Sequence, residues 1–188
     1  ILENSKDKEI VLQEGELVPM FDDTLERQVF MIAGMSGSGK STFTAGLCRT
    51  YKKQFPDNKI ILFSNKPQDP VFDRLEYIER IVINEDLLKD PITLNEIENS
   101  LVLFDDVEYS TNKDIDKELD RIQYLILQQG RSYKVSFVYI SHQCNNYKQT
   151  RVILNECHSV TIFPAMCTRY SLKYLLCNYF GFSKDQIS

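Results

Sequence analysis

The segment from Gly34 to Ser41 combines glycines, hydroxyl side chains and one lysine in the spacing G-x-x-x-x-G-K-[ST]. Glycine has no Cβ, so backbone N–H groups can turn inward around phosphate oxygens. Lys40 can place a mobile positive charge against the β- and γ-phosphates, and the Ser41 hydroxyl can bind Mg²⁺. The spacing therefore predicts a site for the phosphates of ATP and for Mg²⁺. The expected contacts with the nucleotide are Gly34, Ser36, Gly37, Ser38, Gly39, Lys40, Ser41 and Thr42.

The residues on either side of this loop support its assignment. The run Val29–Ala33 is continuously apolar and predicts a buried strand. After the loop, Phe43, Leu47 and Tyr51 recur at four-residue spacing, which predicts a helix with one buried face. A helix that begins near Lys40 directs its positive N-terminal end at the bound anion. This strand–loop–helix context favours a functional phosphate loop over a chance glycine-rich turn.

A second acidic motif follows another apolar run. Residues 100–104 are Ser-Leu-Val-Leu-Phe, and Asp105 and Asp106 come directly after them. A carboxylate at the C-terminal end of a strand can hold the Mg²⁺ of a nucleotide, and we expect Asp105 to do so together with Ser41. Asp106 is a candidate general base for the attacking water, and Glu108 is the competing candidate. The alternative for the motif is a solvated acidic turn.

The remaining apolar patterns predict an α/β fold. Short runs without strict alternation suit strands that are buried on both faces, and these are Ile60–Phe63, Ile81–Ile83, Leu101–Phe104, Val135–Ile140 and Val160–Phe163. Two helical stripes are Ile115, Leu119, Ile122 and Ile126, and then Leu172, Leu175, Leu176, Tyr179 and Phe180. Strands that alternate with helices predict a three-layer P-loop NTPase domain with a mostly parallel central sheet. ATP is expected at the C-terminal ends of the strands.

Length and composition suit one globular domain with an extension ahead of it. The chain has 188 residues. Residues 1–28 are polar and charged, with one candidate strand near Glu9–Leu12, and residues 29–188 are predicted to form the ATPase domain. A net charge of -5 excludes a globally basic nucleic-acid binder but allows a local positive channel. No apolar run approaches the roughly 20 residues of a membrane span, so none is predicted.

The stretch from Leu125 to Gln143 separates this chain from other proteins with a similar phosphate loop. In this stretch a helix ends at Gly130-Arg131, and a strand follows at once and ends in Ser141-His142-Gln143. The arrangement resembles the FtsK-HerA superfamily of DNA pumps. Within that superfamily, the chain is most similar to the genome-packaging ATPases of large DNA viruses of the poxvirus and giant-virus type. The similarity spans about Val29 to Phe182 and includes Asp105-Asp106, Tyr147–Arg151 with Leu154–Glu156, and Ile162-Phe163-Pro164.

This resemblance implies roles for two polar residues of the stretch. Arg131 would be an arginine finger that reaches into the neighbouring subunit's ATP site, where a cation stabilises the developing charge. The ordinary alternative for Arg131 is a cation at a helix C-terminus. Gln143 would sense the γ-phosphate and couple hydrolysis to movement. Arg151 is a second candidate finger or a surface residue of a short helix, and His142 is predicted to be structural rather than catalytic.

The resemblance also implies a motor that works on nucleic acid. ATP hydrolysis would drive double-stranded DNA through the channel of a pentameric or hexameric ring into a preformed capsid. Capsid or portal-vertex proteins would be partners, and the chain would act in the host-cell cytoplasm at the viral assembly site, or in the virion. The loops Glu108–Lys113 and Cys144–Arg151 carry cationic and polar side chains that suit contact with the DNA backbone. Ordinary solvated loops are the alternative.

Three other classes of protein remain open at this point. A nucleoside or nucleotide kinase also begins with a phosphate loop, but its arginine-rich lid has no counterpart because Arg151 and Arg169 stand apart. A non-catalytic nucleotide-binding module would not need all three of Lys40, Ser41 and Asp105. A GTPase is disfavoured because residues 65–68 are Asn-Lys-Pro-Gln, which lacks the aspartate of the guanine motif N-K-x-D.

Overall fold

Six strands form one sheet in the described part of the chain. The computed structural model describes residue 21 and residues 25–107, 112–144, 150–164 and 167–187. The strands are β1 (Val29–Ala33), β2 (Lys59–Ser64), β3 (Ile78–Val82), β4 (Ser100–Asp105), β5 (Val135–Ser141) and β6 (Ser159–Ile162). They lie in the order β3-β2-β4-β5-β1-β6, and every neighbouring pair is parallel. The predicted parallel sheet is confirmed, and it is parallel throughout these ranges.

Helices cover both faces of this sheet. They are α1 (Lys40–Gln54), α2 (Asp86–Lys89), α3 (Lys113–Gln129), α4 (Thr150–Glu156) and α5 (Arg169–Tyr179), with a 3₁₀ turn at Phe72–Arg74. One apolar core joins α1 and the 3₁₀ turn to one face, and a second joins the other four helices to the opposite face. The predicted three-layer α/β architecture is therefore confirmed. None of the helices in the described ranges has the length and apolar character to cross a membrane.

Strand β4 explains why the apolar runs of this chain lack strict alternation. Leu101 and Leu103 belong to the core on the α1 side, whereas Val102 and Phe104 belong to the core on the α3 side. All four side chains are at most 1% exposed, because helices cover both faces of a central parallel strand. The ring of Phe104 also packs against that of Phe137 on β5, with 5.1 Å between the ring centroids.

The boundaries of two predicted elements differ from those observed. Strand β3 begins at Ile78 rather than Ile81, because it lies at the edge of the sheet and its polar residues interrupt the apolar run. The stripe on α5 is only partly buried: Leu175 is fully covered, whereas Phe180 lies beyond the helix and is 45% exposed. This helix follows the edge strand β6, where less of the sheet is available to cover it. The candidate strand at Glu9–Leu12 lies outside the described residues.

Part of the predicted extension packs against the domain. Phe21 is only 5% exposed and belongs to the core on the α1 side. The Arg27 guanidinium donates to the carbonyl oxygens of Ile126 (2.5 Å) and Leu127 (2.9 Å) in the last turn of α3. A cation at this position adds a partner to carbonyl groups in the last turn and meets the negative end of the helix dipole. The domain division at residue 28 stays a prediction.

Candidate nucleotide-binding site

The loop between β1 and α1 has the backbone shape that a phosphate cradle requires. Its start is tied to β5, because the Gly34 N–H donates to the Ser141 carbonyl at 3.1 Å. Gly37 (φ 77°) and Gly39 (φ 97°) both adopt left-handed conformations, which residues with a Cβ rarely take. Gly39 is also the last residue before α1, so the N-terminal end of this 15-residue helix opens onto the loop.

Gly39→Ala is expected to weaken ATP binding about tenfold, because a Cβ in the left-handed region costs about 1–2 kcal/mol. A side chain would have room there, since the nearest atom to an added Cβ is Phe163 Cε1 at 3.7 Å. The loss would therefore come from a shifted loop backbone and is measurable by isothermal titration calorimetry. Gly46→Ala is the matched control within α1, because nothing lies within 4 Å of an added Cβ and a helix favours alanine. Equal losses of affinity in both variants would contradict this account.

Lys40 is buried under the loop, at 6% exposure. Its ammonium donates to the carbonyl oxygens of Gly34 at 2.6 Å and Met35 at 3.0 Å. The Nδ1 atom of His142 lies 3.4 Å from the same nitrogen. These contacts hold the lysine charge at the edge of the cleft where phosphates are expected.

Asp106 is held on several sides at the end of β4. One carboxylate oxygen contacts Nε2 of His142, and the other forms an ion pair with the Lys66 ammonium. Its backbone carbonyl accepts a hydrogen bond from the Asn65 side-chain amide at 2.7 Å. The residue itself has φ 53°, a left-handed conformation that turns the chain out of the sheet. A continuous series of polar contacts therefore crosses the cleft, from Lys40 through His142 and Asp106 to Lys66.

The two neighbouring carboxyl groups have opposite pKa shifts. Burial raises the pKa of Asp105 to about 6, the negative charge of Asp106 adds to the effect, and Lys66 opposes it. Burial also raises the pKa of Asp106, but hydrogen bonds from Lys66 and His142 outweigh it and keep that pKa below its usual value. The hydrogen bond to Asp106 in turn raises the pKa of Lys66. Asp105 therefore carries a poorly compensated negative charge that a cation would relieve.

These groups surround one cleft of about 280 Å³. It brings together most of the predicted nucleotide contacts with both aspartates, because the C-terminal ends of parallel strands meet at one edge of the sheet. Its lining residues are Ser36, Gly37, Gly39, Lys40, Ser41, Thr42, Lys66, Val71, Asp105, Asp106 and His142. Gly34 and Ser38 lie in the loop itself, where the Ser38 N–H donates to the Met35 carbonyl at 3.2 Å.

The donor groups in this cleft fit Mg²⁺. Asp105 supplies a carboxylate that is only 4% exposed, and Ser41 supplies a half-buried hydroxyl in the same cleft. Mg²⁺ prefers oxygen ligands and is usually held by one or two protein groups together with substrate phosphates. Among the described residues there is no cluster of three or more His, Cys, Asp or Glu side chains suited to a metal. Two protein ligands and a bound triphosphate need no such cluster.

Three other residues with predicted roles do not line the cleft. Gln143 is exposed just beyond β5, where its N–H donates to the Ser141 hydroxyl at 3.1 Å. Arg131 precedes β5, at the N-terminal ends of the strands, whereas the cleft lies at their C-terminal ends. The Arg131 Nε donates to Glu26 Oε2 at 2.6 Å. A seven-residue strand spans about 20 Å, so Arg131 cannot reach its own cleft. Arg151 is exposed in the first turn of α4. Glu108 and most of both candidate DNA loops lie outside the described residues.

Lys66 and His142 are polar cleft residues whose place in the site does not follow from the sequence motifs. In the sequence, Lys66 belongs only to an incomplete guanine motif, yet in the fold it follows the C-terminal end of β2, beside β4. His142 was predicted to be structural, and it contacts both Asp106 and Lys40. The usable signal was the position of both residues just after a predicted strand, because such residues converge at one sheet edge.

A parallel α/β sheet with this phosphate loop and acidic strand end defines a P-loop NTPase-like fold. The chain is 39% identical over 188 residues to the uncharacterized protein V3 of Sputnik virophage, an alignment that covers 98% of this chain and 75% of V3. It therefore belongs to the same family as this virophage protein. No protein-family model matches the chain.

Solved structures with a similar fold include the genome packaging NTPase B204 from Sulfolobus turreted icosahedral virus 2. The B204 complex with AMPPCP superposes with a TM-score of 0.51 at 11% identity, and the complex with ATP-gammaS with 0.50 at 12% identity. Each comparison covers 82% of this chain and 82% of B204. At this level of identity the similarity establishes the shared fold.

Proposed function

We propose that this chain hydrolyses ATP to drive double-stranded DNA into a viral capsid. The main support is the single cleft that brings Lys40, Ser41, Asp105 and Asp106 together at the end of the sheet. The fold shared with B204 and the family relationship to a virophage protein support a viral packaging role. Hydrolysis is the part that the cleft supports most directly, and DNA movement rests on the resemblance to packaging ATPases.

The proposed reaction is attack of water on the γ-phosphorus of ATP. The loop N–H groups and Lys40 hold the phosphates, while Ser41 and Asp105 would hold Mg²⁺, which neutralises phosphate charge when bound. The bond between the γ-phosphorus and the bridging oxygen breaks, and ADP leaves with the electron pair. Asp106 takes the proton of the attacking water. Positioning and fixed charge supply most of the acceleration in this chemistry.

The proposed motor is a ring of five or six subunits in which Arg131 completes the next subunit's site. Support comes from the exposed position of Arg131 at the end of the sheet opposite the cleft. Head-to-tail contacts in a ring bring different surfaces of two neighbouring copies together. Gln143, exposed beside the cleft, is the proposed γ-phosphate sensor. DNA in the channel and capsid or portal-vertex proteins are the proposed partners, at the assembly site in the host cytoplasm or in the virion.

Arg131→Ala is expected to lower ATP hydrolysis about 100-fold at protein concentrations that allow assembly, and to leave ATP affinity unchanged. Its guanidinium lies too far from its own cleft to bind the nucleotide there. Mixing this variant with Lys40→Ala should restore part of the activity, because each subunit supplies what its neighbour lacks. Arg49→Ala removes another exposed arginine and is the control. No recovery on mixing, with equal loss at every concentration, would contradict a role in trans.

The proposed function is tested by measuring phosphate release from ATP across protein concentrations, with and without double-stranded DNA. A rate per subunit that rises with concentration and rises again with DNA is expected for an assembling motor. A rate that is flat in both variables would contradict the motor. Phosphate transfer to a nucleoside or nucleotide acceptor in the same assay would instead identify a kinase.

A further inference from the structure

We propose that Lys66 is a γ-phosphate contact that exchanges its partner Asp106 for the terminal phosphate of ATP. This inference rests on the proposed ATP hydrolysis and adds a nucleotide-sensing residue from β2 to the site. Lys66 would distinguish ATP from ADP, and its departure would expose one Asp106 oxygen to the attacking water.

The backbone around Lys66 is fixed, whereas its side chain is more than half exposed. Its N–H donates to the Ser64 hydroxyl at 3.2 Å, and its carbonyl accepts from Arg80 at 3.0 Å. The next residue back, Asn65, is tied to the Asp106 carbonyl. In contrast, the Lys66 side chain is 55% exposed where it contacts Asp106 in the cleft. A long side chain on an anchored backbone can change partners without any change in the fold.

The position of the terminal phosphate follows from the other cleft residues. Lys40 lies on the loop side, Asp106 lies across the cleft, and the attacking water must stand between Asp106 and the γ-phosphorus. The terminal phosphate is then next to the group that Lys66 already touches. A terminal phosphate carries more negative charge than one carboxylate, and it offers three acceptor oxygens to the ammonium. The Lys66 end of this ion pair is 55% exposed, so water screens it and ATP can compete for Lys66.

The exchange also accounts for how Asp106 is held. In this structure both of its carboxylate oxygens are occupied, one by His142 and the other by Lys66. A carboxylate that is engaged on both oxygens has fewer lone pairs to offer to a water proton. When Lys66 moves to the phosphate, one oxygen is released while His142 keeps the carboxylate in place. ADP has no terminal phosphate and would leave Asp106 occupied.

The test compares the Kd of AMPPCP with that of ADP, both with Mg²⁺, by isothermal titration calorimetry on the full chain. Lys66→Met is expected to weaken AMPPCP binding about tenfold and to change ADP binding by less than about twofold. Lys59→Met is the matched control, because this exposed lysine begins the same strand at the opposite edge of the sheet. It should leave both constants unchanged.

Asp106→Asn provides the complementary measurement. This variant removes the competitor for Lys66, so AMPPCP binding should be retained or tightened while ADP binding is unchanged. If Lys66→Met weakens both ligands equally, or neither, Lys66 only positions Asp106 and the proposal is overturned. If Lys66→Met does not fold, a fall in the preference for AMPPCP in Asp106→Asn overturns it. Failure of the unaltered chain to bind either nucleotide would instead reject the proposed ATP site itself.

Discussion

Lys40→Ala is expected to reduce ATP hydrolysis about 1000-fold, at the upper end of what one charge-stabilising group contributes. The lysine is the buried cation of the cleft, and its ammonium already lies against the loop carbonyls of Gly34 and Met35. Without it, the phosphates lose a cation whose attraction grows as negative charge develops in the transition state. Steady-state phosphate release at saturating ATP measures the loss directly.

The control for this variant is Lys53→Ala, which removes an exposed lysine at the other end of α1. It should leave the rate within about twofold, since exposed charges far from a site contribute little. Loss of the Lys40 hydrogen bonds should lower the free energy of unfolding by only about 1–3 kcal/mol. Thermal unfolding is measured together with activity, because a variant that is largely unfolded at the assay temperature would be inactive through misfolding. Retention of a tenth or more of the rate by folded Lys40→Ala would contradict its proposed role.

Asp105→Asn is expected to lower the rate of Mg²⁺-dependent hydrolysis about 1000-fold. The same change is expected to stabilise the nucleotide-free protein. Asp105 is 4% exposed, and burial raises its pKa to about 6. Holding this carboxylate charged at pH 7.5 costs about 3 kcal/mol, which a neutral amide would avoid. Chemical denaturation and phosphate release on the same preparation measure the two effects.

The pH dependence of stability gives this prediction a defined sign. Because the folded state binds the Asp105 proton more tightly, the contribution of this group to stability is greatest below about pH 4 and is lost as the pH rises to about 6. The difference in free energy of unfolding between Asp105→Asn and the unaltered chain should therefore grow over this window. Asp57→Asn, which removes an exposed carboxylate, should show no such change. A pH-independent difference would contradict the assigned burial cost.

The sequence was sufficient to predict those parts of the fold that depend on local pattern. The apolar run at 100–104 predicted β4 because both of its faces are covered. The stripe on α3 predicted a helix, and the four residues of that stripe are all buried. The edge elements β3 and α5 were less well predicted, because partial exposure mixes polar and apolar residues. Local pattern carries little information about such positions.

The candidate site was predictable only where its residues are close in sequence. Lys40 and Ser41 belong to one motif, but Lys66 and His142 enter the cleft through the order of strands in the sheet. That order places β5 between β1 and β4, and β2 beyond β4. The periodicity of a strand gives no indication of which strands are its neighbours. Contacts of this kind therefore require the three-dimensional fold.

The two-sided burial of the central strands has a consequence for how such proteins diverge. A position inside β4 has to be apolar and of suitable volume, and exchanges among Val, Ile, Leu and Phe meet that demand when neighbours adjust. Many sequences can therefore fill the same sheet, which is compatible with 11% identity to B204 at a shared fold. Polar replacements have no such freedom inside the sheet, so new chemistry in this architecture has to arise where the strands end.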